Sequence, residues 1–162
     1  MSADNSGVFD YGQLADLLIQ QVKNLTGCET VETDYSGPQP AYPFFSYKIT
    51  TPYIQVVQQM NSNEMFELTV SVNAHTASSI QSLQLATTLV KQLKTEQVRR
   101  AFRAQSIVIV DVDAVTNRSV FQIDDYERIV GFDLHLRVVD DFEEVTPQVN
   151  KVNVDGKSIN QK

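Results

Sequence analysis

The residues of this chain best suited to chemistry are its histidines and clustered carboxylates. His75 and His135 fall on the polar sides of two alternating strand patterns, so they could meet across a sheet and join Asp133 in an acid–base or metal-binding group. A small metal-dependent hydrolase built on His75 and His135 is the reading that follows. Against it, two histidines on unrelated strands, with no third ligand at helical or turn spacing, are the ordinary pattern of surface residues. Asp111 and Asp113 share one face of a strand and Asp124-Asp125 follow, which invites magnesium or calcium. Neither EF-hand spacing nor a Gly-rich phosphate loop accompanies them. Ser46, Ser71 and Ser119 lack the G-x-S-x-G context of a nucleophile elbow. No nucleophile, metal site or cofactor is therefore expected, and the chain reads as a non-enzyme.

The charges point to association instead. Asp140, Asp141, Glu143 and Glu144 end the best strand pattern in the chain and project like charge from one place. Their bland reading is a solvated hairpin tip. Their functional reading is a contact with a basic patch on a neighbour, for which Arg99, Arg100, Arg103 and Arg118 are candidates within the same sequence. Pairing of that kind suits a head-to-tail ring of identical subunits. With 162 residues the chain fits one domain, and a net charge of −7 opposes any grip on nucleic acid through neutralised phosphates. Cys28 is the only cysteine, which excludes an intrachain disulfide and a multi-cysteine zinc site. The N-terminus lacks a signal-peptide pattern and no apolar run nears the ~20 residues of a membrane helix, so folding in the cytoplasm is expected.

The elements that must carry these residues are legible as periodicities. After a frayed start over residues 1–8, Leu14, Leu17, Leu18, Val22 and Leu25 at spacings of three and four predict a helix over 10–26, ended by Gly27. A short strand over 30–33 leads into a loop over 34–43 marked by Gly37, Pro38, Pro40 and Pro43. Two strands follow, 44–50 and 53–59, divided at Thr51-Pro52, and 61–64 is a polar turn. Phe66, Leu68, Val70, Val72 and Ala74 alternate with polar residues in a one-faced strand. A second helix over 79–93 carries Ile80, Leu83, Ala86, Leu89, Val90 and Leu93 as its apolar stripe, and Thr95 caps a short third one through Phe102.

From Ser106 to Val115, Val108, Val110, Val112 and Ala114 face one way, and Ile107, Ile109, Asp111 and Asp113 the other. A turn at 117–119 and a brief pairing over 120–123 lead to the strand 126–140, where Val130, Phe132, Leu134, Leu136 and Val138 alternate with Gly131, Asp133, His135 and Arg137. The fold class expected is α+β, a mostly antiparallel sheet of about five to six strands with two main helices on one face. Residues 1–145 read as a single domain and 146–162 as an extension or arm. The polar sheet face, the segments 34–43, 60–64 and 140–162, and Asp133 with Arg137 are expected contact regions.

Two stretches, PQPAYPFFSYKITTPYI (38–54) and YERIVGFDLHLRVVDDFEE (126–144), resemble the neck and tail-terminator family of tailed bacteriophages. The likeness rests on Tyr42-Pro43-Phe44, Thr51-Pro52-Tyr53, and Glu127-Arg128 through Gly131-Phe132-Asp133 with Arg137, in that order and spacing. It spans roughly residues 9–145; Ile129 stands where a second basic residue would be expected, and the stretch after Val145 lies outside it. The resemblance implies a structural virion protein at the head–tail junction, assembled in the host cytoplasm. Its subunits would close into a ring, hexameric by family habit, that ends tail-tube growth and meets the head connector. Genomic DNA would pass through the lumen, with no cofactor and no membrane involved. The alternative within the class is a head-side adaptor or gateway protein between portal and tail.

Overall fold

Asp10 starts the first helix, because its carboxylate accepts a hydrogen bond from the Gln13 backbone N–H at 3.0 Å and satisfies one of the free donors of the opening turn. Helix α1 (Tyr11–Thr26) ends at Gly27, whose φ of 73° is the left-handed conformation that a residue without Cβ adopts freely. Both ends agree with the periodicity. The computed structural model describes residues 7–58, 62–121, 126–143, 151–154 and 157–160, the last two stretches and Tyr126 by backbone alone. The predicted features at Ile123, Asp124, Asp125 and Glu144, and in residues 1–6, lie outside the described residues.

After α1 come β1 (Glu29–Glu32), β2 (Phe44–Gln55), β3 (Met65–Thr76), α2 (Ser79–Leu93), α3 (Glu96–Arg103), β4 (Ile107–Val112), β5 (Thr116–Asn117), β6 (Val120–Phe121) and β7 (Tyr126–Val139). The sheet order is β1-β2-β3-β7-β4, with β5 and β6 also laid along β7, so the α+β expectation holds with more strands than anticipated. All its pairings are antiparallel except β1 with β2. A parallel neighbour requires the chain to travel back to its starting end. The proline-rich segment over 33–43 makes that return. Two further strands, β8 (Lys151–Val154) and β9 (Lys157–Asn160), pair antiparallel with each other inside the region expected to be an arm.

The helices bury the apolar rows of β3 and β7, with Phe66, Leu68, Val70, Phe132, Leu134 and Leu136 at the centre of one continuous core. Cys28 is buried at its edge. Three expectations about these rows are corrected. Residues 44–55 are one strand, not two, and the register shifts around Thr51 absorb the break. Pro52 is tolerated because β1 accompanies β2 only as far as Tyr47, leaving the later part of β2 as an edge that needs no donor there.

The stripe of α2 is centred on Ser82, Ala86, Leu89, Val90 and Leu93, while Ile80 and Leu83 are 67% and 47% exposed. At 100° per residue Ile80 falls about 135° from the middle of that buried arc. Ser82 enters the core in its place because Thr76 Oγ1 (2.9 Å) and the Ser78 carbonyl (2.9 Å) satisfy its hydroxyl. In β4 neither alternating row is buried throughout. Ile107 and Ile109 point inward, a register shift between Ile109 and Asp111 then turns Val112 inward, and Val108 and Val110 stay 42% and 37% exposed.

Candidate functional site

The sheet face opposite the helices carries the residues for which chemistry was considered. It is less wet than expected. Register pairs Glu67 with Arg137, Thr69 with His135, Ser71 with Asp133 and Asn73 with Gly131, so the polar rows of β3 and β7 lie side by side. Arg137 Nε donates to Glu67 Oε1 at 3.0 Å, and a second guanidinium nitrogen reaches the same oxygen at 2.5 Å. His135 Nε2 donates to Asp113 Oδ2 at 3.0 Å, leaving Nδ1 to accept from the Thr69 hydroxyl at 3.2 Å.

Arg118 is the hub of this face. The predicted turn at 117–119 is instead a crossing between β5 and β6, in which the Arg118 backbone N–H donates to the Ile129 carbonyl at 2.8 Å. That anchorage aims the guanidinium back over the sheet. It donates to Ser71 Oγ (2.6 Å), Asn73 Oδ1 (3.0 Å), Asp133 Oδ1 (3.0 Å) and Thr116 Oγ1 (3.2 Å). The close packing of Gly131 against Asn73 leaves no room for a side chain at 131: a Cβ there would sit 2.1 Å from Asn73 Oδ1 and 2.6 Å from the Val72 carbonyl oxygen. Lying under the long side chains, Thr69 and Ser71 are buried although they face away from the helices.

The two histidines do not meet. His75 is opposite Ile129 and His135 opposite Thr69, which separates them by six positions along β3, about 20 Å at the rise of a strand. Each has its own partners, and among the described residues no three His, Cys, Asp or Glu side chains gather as metal ligands. Asp111 Oδ1 accepts from the Val112 backbone N–H (2.8 Å) rather than joining Asp113 in a cation site.

His75 instead forms a line that sequence reasoning missed. Its Nδ1 donates to Glu127 Oε1 at 2.8 Å and its Nε2 accepts from Ser46 Oγ at 2.7 Å, with the Phe44 ring stacked on the imidazole at 4.5 Å. This serine–histidine–carboxylate order lies beside a cavity of about 330 Å³ bounded by Tyr35, Gly37 and Pro40 of the proline-rich loop. Ser46 sits within β2 between β1 and β3, so its backbone amide belongs to the ladder and not to a turn that exposes a nucleophile. The line ties three strands together and forms one wall of the cavity. The register that joins 46, 75 and 127 has no signature in linear spacing.

At the acidic end the chain is ordered by its own backbone. Asp140 Oδ1 accepts from the backbone N–H groups of Glu64 (3.0 Å) and Phe142 (3.2 Å), and the Asn63 N–H donates to the Phe142 carbonyl (2.8 Å). With the bridge between Ser62 and Glu143, residues 140–143 extend the sheet alongside 62–64 and do not form the hairpin tip expected. Asp141 and Glu143 remain exposed. Tyr53 donates its hydroxyl to Glu64 Oε1 at 2.5 Å, which raises the phenol pKa, and burial with nearby Asp140 raises that of Tyr11.

The candidate arginines divide by their partners. Glu96 holds both Arg100 (3.2 Å) and Arg103, and these hydrogen bonds lower the Glu96 pKa below its ordinary value. Arg118 and Arg137 are committed to Asp133 and Glu67 on the sheet face. Arg99 donates to the Ile109 carbonyl at 3.1 Å, which sets it beside β4. Among the described residues no helix is long and apolar enough to cross a membrane.

Compared with known families, residues 13–162 match the one described as phage neck terminator protein, a span that runs past Val145, where the resemblance of the two anchor stretches ends. No curated protein matches the chain. Because that match takes in α1 from Gln13 onward, the whole sheet, α2, α3 and the C-terminal strand pair, the chain belongs to the phage neck terminator family, a family of structural proteins.

Proposed function

We propose that this protein closes into a ring of identical subunits, six in number, at the head-proximal end of the phage tail. The ring ends tube growth, meets the head connector and lets genomic DNA through its lumen. The observation that carries this reading is the helix-free sheet face, where Glu67–Arg137, Arg118–Asp133 and Asp113–His135 pair their charges. Around these pairs stand Ile54, Met65, Val108 and Val139, all partly exposed. Charge compensated in place beside apolar side chains is a surface suited to a protein neighbour.

Asp140, Asp141, Glu143 and Glu144, with Arg99, Arg100 and Arg103, are the charged groups proposed to contact neighbours or partners. Arg118, Asp133 and Arg137 shape the face that is covered. A net charge of −7 keeps the assembly from holding the DNA that passes through it. Residues 146–162 are proposed as an arm appended to the domain over 1–145.

Negative-stain micrographs of the purified protein, alone and added to tails lacking their terminator, test this reading. Rings with a lumen wide enough for duplex DNA, seated on tube ends, are expected. A protein that stays monomeric at every concentration and leaves tube ends bare would overturn it. Capture of the connector without any tube subunit would make it a head-side adaptor instead.

A further inference from the structure

A sheet that is not closed on itself has two edges, and here they differ in charge. Among the described residues β1 pairs only with β2 and β4 only with β7, so the unpaired edges lie at opposite ends of the sheet order. On the β1 side, Glu29 and Glu32 are exposed and hold no ion pair among the described residues. A groove of about 390 Å³ between α1 and β1 adds Asp16 against a single cation, Lys23. On the β4 side, Lys94 and Arg99 border a groove of about 240 Å³ along residues 109–112, against a single carboxylate, Asp111, already engaged by its neighbouring backbone N–H.

The β4 edge is also only partly protected. Its sequence, IVIVDV, has four aliphatic β-branched residues in succession, no proline and no lysine, and Val108 and Val110 stay exposed. Free edges of that composition pair with other strands unless something blunts them. Among the described residues the Arg99 contact to the Ile109 carbonyl, the register shift between Ile109 and Asp111 and the Asp111 charge blunt the later half of the strand, and Ile107 and Val108 carry none of these. A partner strand on this edge would meet a basic groove and would need to be short and acidic, which describes β1 with its sequence ETVE.

We infer that the subunits of the ring join edge to edge, with the acidic β1 edge of one copy laid against the basic β4 edge of the next. The inference rests on the ring reading above and adds which surfaces make the junction. A contact between two different surfaces of the same chain is heterologous, and it closes into a ring when the rotation between copies divides the circle. Opposite charge on the two edges also disfavours the symmetric pairings, β1 on β1 and β4 on β4.

Charge exchange tests it. One variant carries Glu29→Lys with Glu32→Lys, and the other carries Lys94→Glu with Arg99→Glu. Sedimentation velocity and negative stain, in solution and on tails lacking their terminator, should show rings for the unmodified protein and none for either variant alone. An equimolar mixture should regain rings, because every junction in an alternating ring again joins opposite charges. Either variant forming rings alone as the unmodified protein does would overturn the edge junction and leave the ring reading standing, as would folded variants whose mixture stays monomeric. Absence of rings from the unmodified protein on tails as well as in solution would instead remove the ring reading, and the junction with it. If a double variant does not fold, Glu32→Lys and Lys94→Glu, both at exposed positions, take its place.

Discussion

Replacing Arg118 by methionine keeps the aliphatic stem and removes the guanidinium that holds the outer sheet face. Four hydrogen bonds vanish, to Ser71, Asn73, Asp133 and Thr116. A net hydrogen bond contributes about 1 kcal/mol, and leaving a buried hydroxyl such as Ser71 without its partner adds to that. The Asp133 pair is 30% and 35% exposed, so solvent screening holds its share to below about 1 kcal/mol. The total expected is about 3 kcal/mol, a fall of roughly 6–12 °C in Tm for a chain of this size. Urea denaturation at low protein concentration is the assay, because assembly would add stability that depends on concentration. A double-mutant cycle with Asp133→Asn should give a coupling of roughly 0.5–1 kcal/mol. A loss below about 0.5 kcal/mol for Arg118→Met would refute the claim that this residue organises the face.

Gly131→Ala should destabilise by about 1–3 kcal/mol in the same assay, because Asn73 can swing aside but the Val72 carbonyl cannot leave the ladder; an unchanged midpoint would contradict the close approach at this site. Glu96 has its pKa lowered by Arg100 and Arg103, so its stabilisation is complete above the unfolded value of about 4.5 and is lost as pH falls through the lower folded value. Glu96→Gln should flatten the acid limb of the stability–pH curve there, and superimposable limbs would argue against the pair. His75→Ala removes the links to Ser46 and Glu127 and the stack on Phe44, for an expected loss of about 1–3 kcal/mol. Hydrolysis of p-nitrophenyl acetate by the unmodified protein should equal that of Ser46→Ala, and faster turnover would give the line a catalytic role.

Long periodic elements were readable because one face of each is buried against a single core. The alternation over 126–140 and over 65–76 has the right inward residues throughout, and Gly27 marks the end of α1 as local backbone chemistry requires. Misreadings fall where a distant partner decides. Ile80 and Leu83 look like core until Ser82 finds two hydrogen-bond partners, and Thr51-Pro52 looks like a break until the missing neighbour of β2 makes it harmless. Asp140 to Glu143 look like a free charged tip until 62–64 pairs with them.

Residue type, order and period by themselves determined the α+β class, the inward rows of β3 and β7, the extents of α1 and α2 and, through the two anchor stretches, the family. These properties are local, since each follows from side chains within one turn or one strand. Only the tertiary structure decided that Ser46, His75 and Glu127 stand in line, that Arg118 reaches Ser71, Asn73 and Asp133, and that an acidic and a basic edge end the same sheet. Each depends on strand register or strand order. A one-residue slip would exchange the two faces of a strand, and no spacing along the chain records which strands become neighbours.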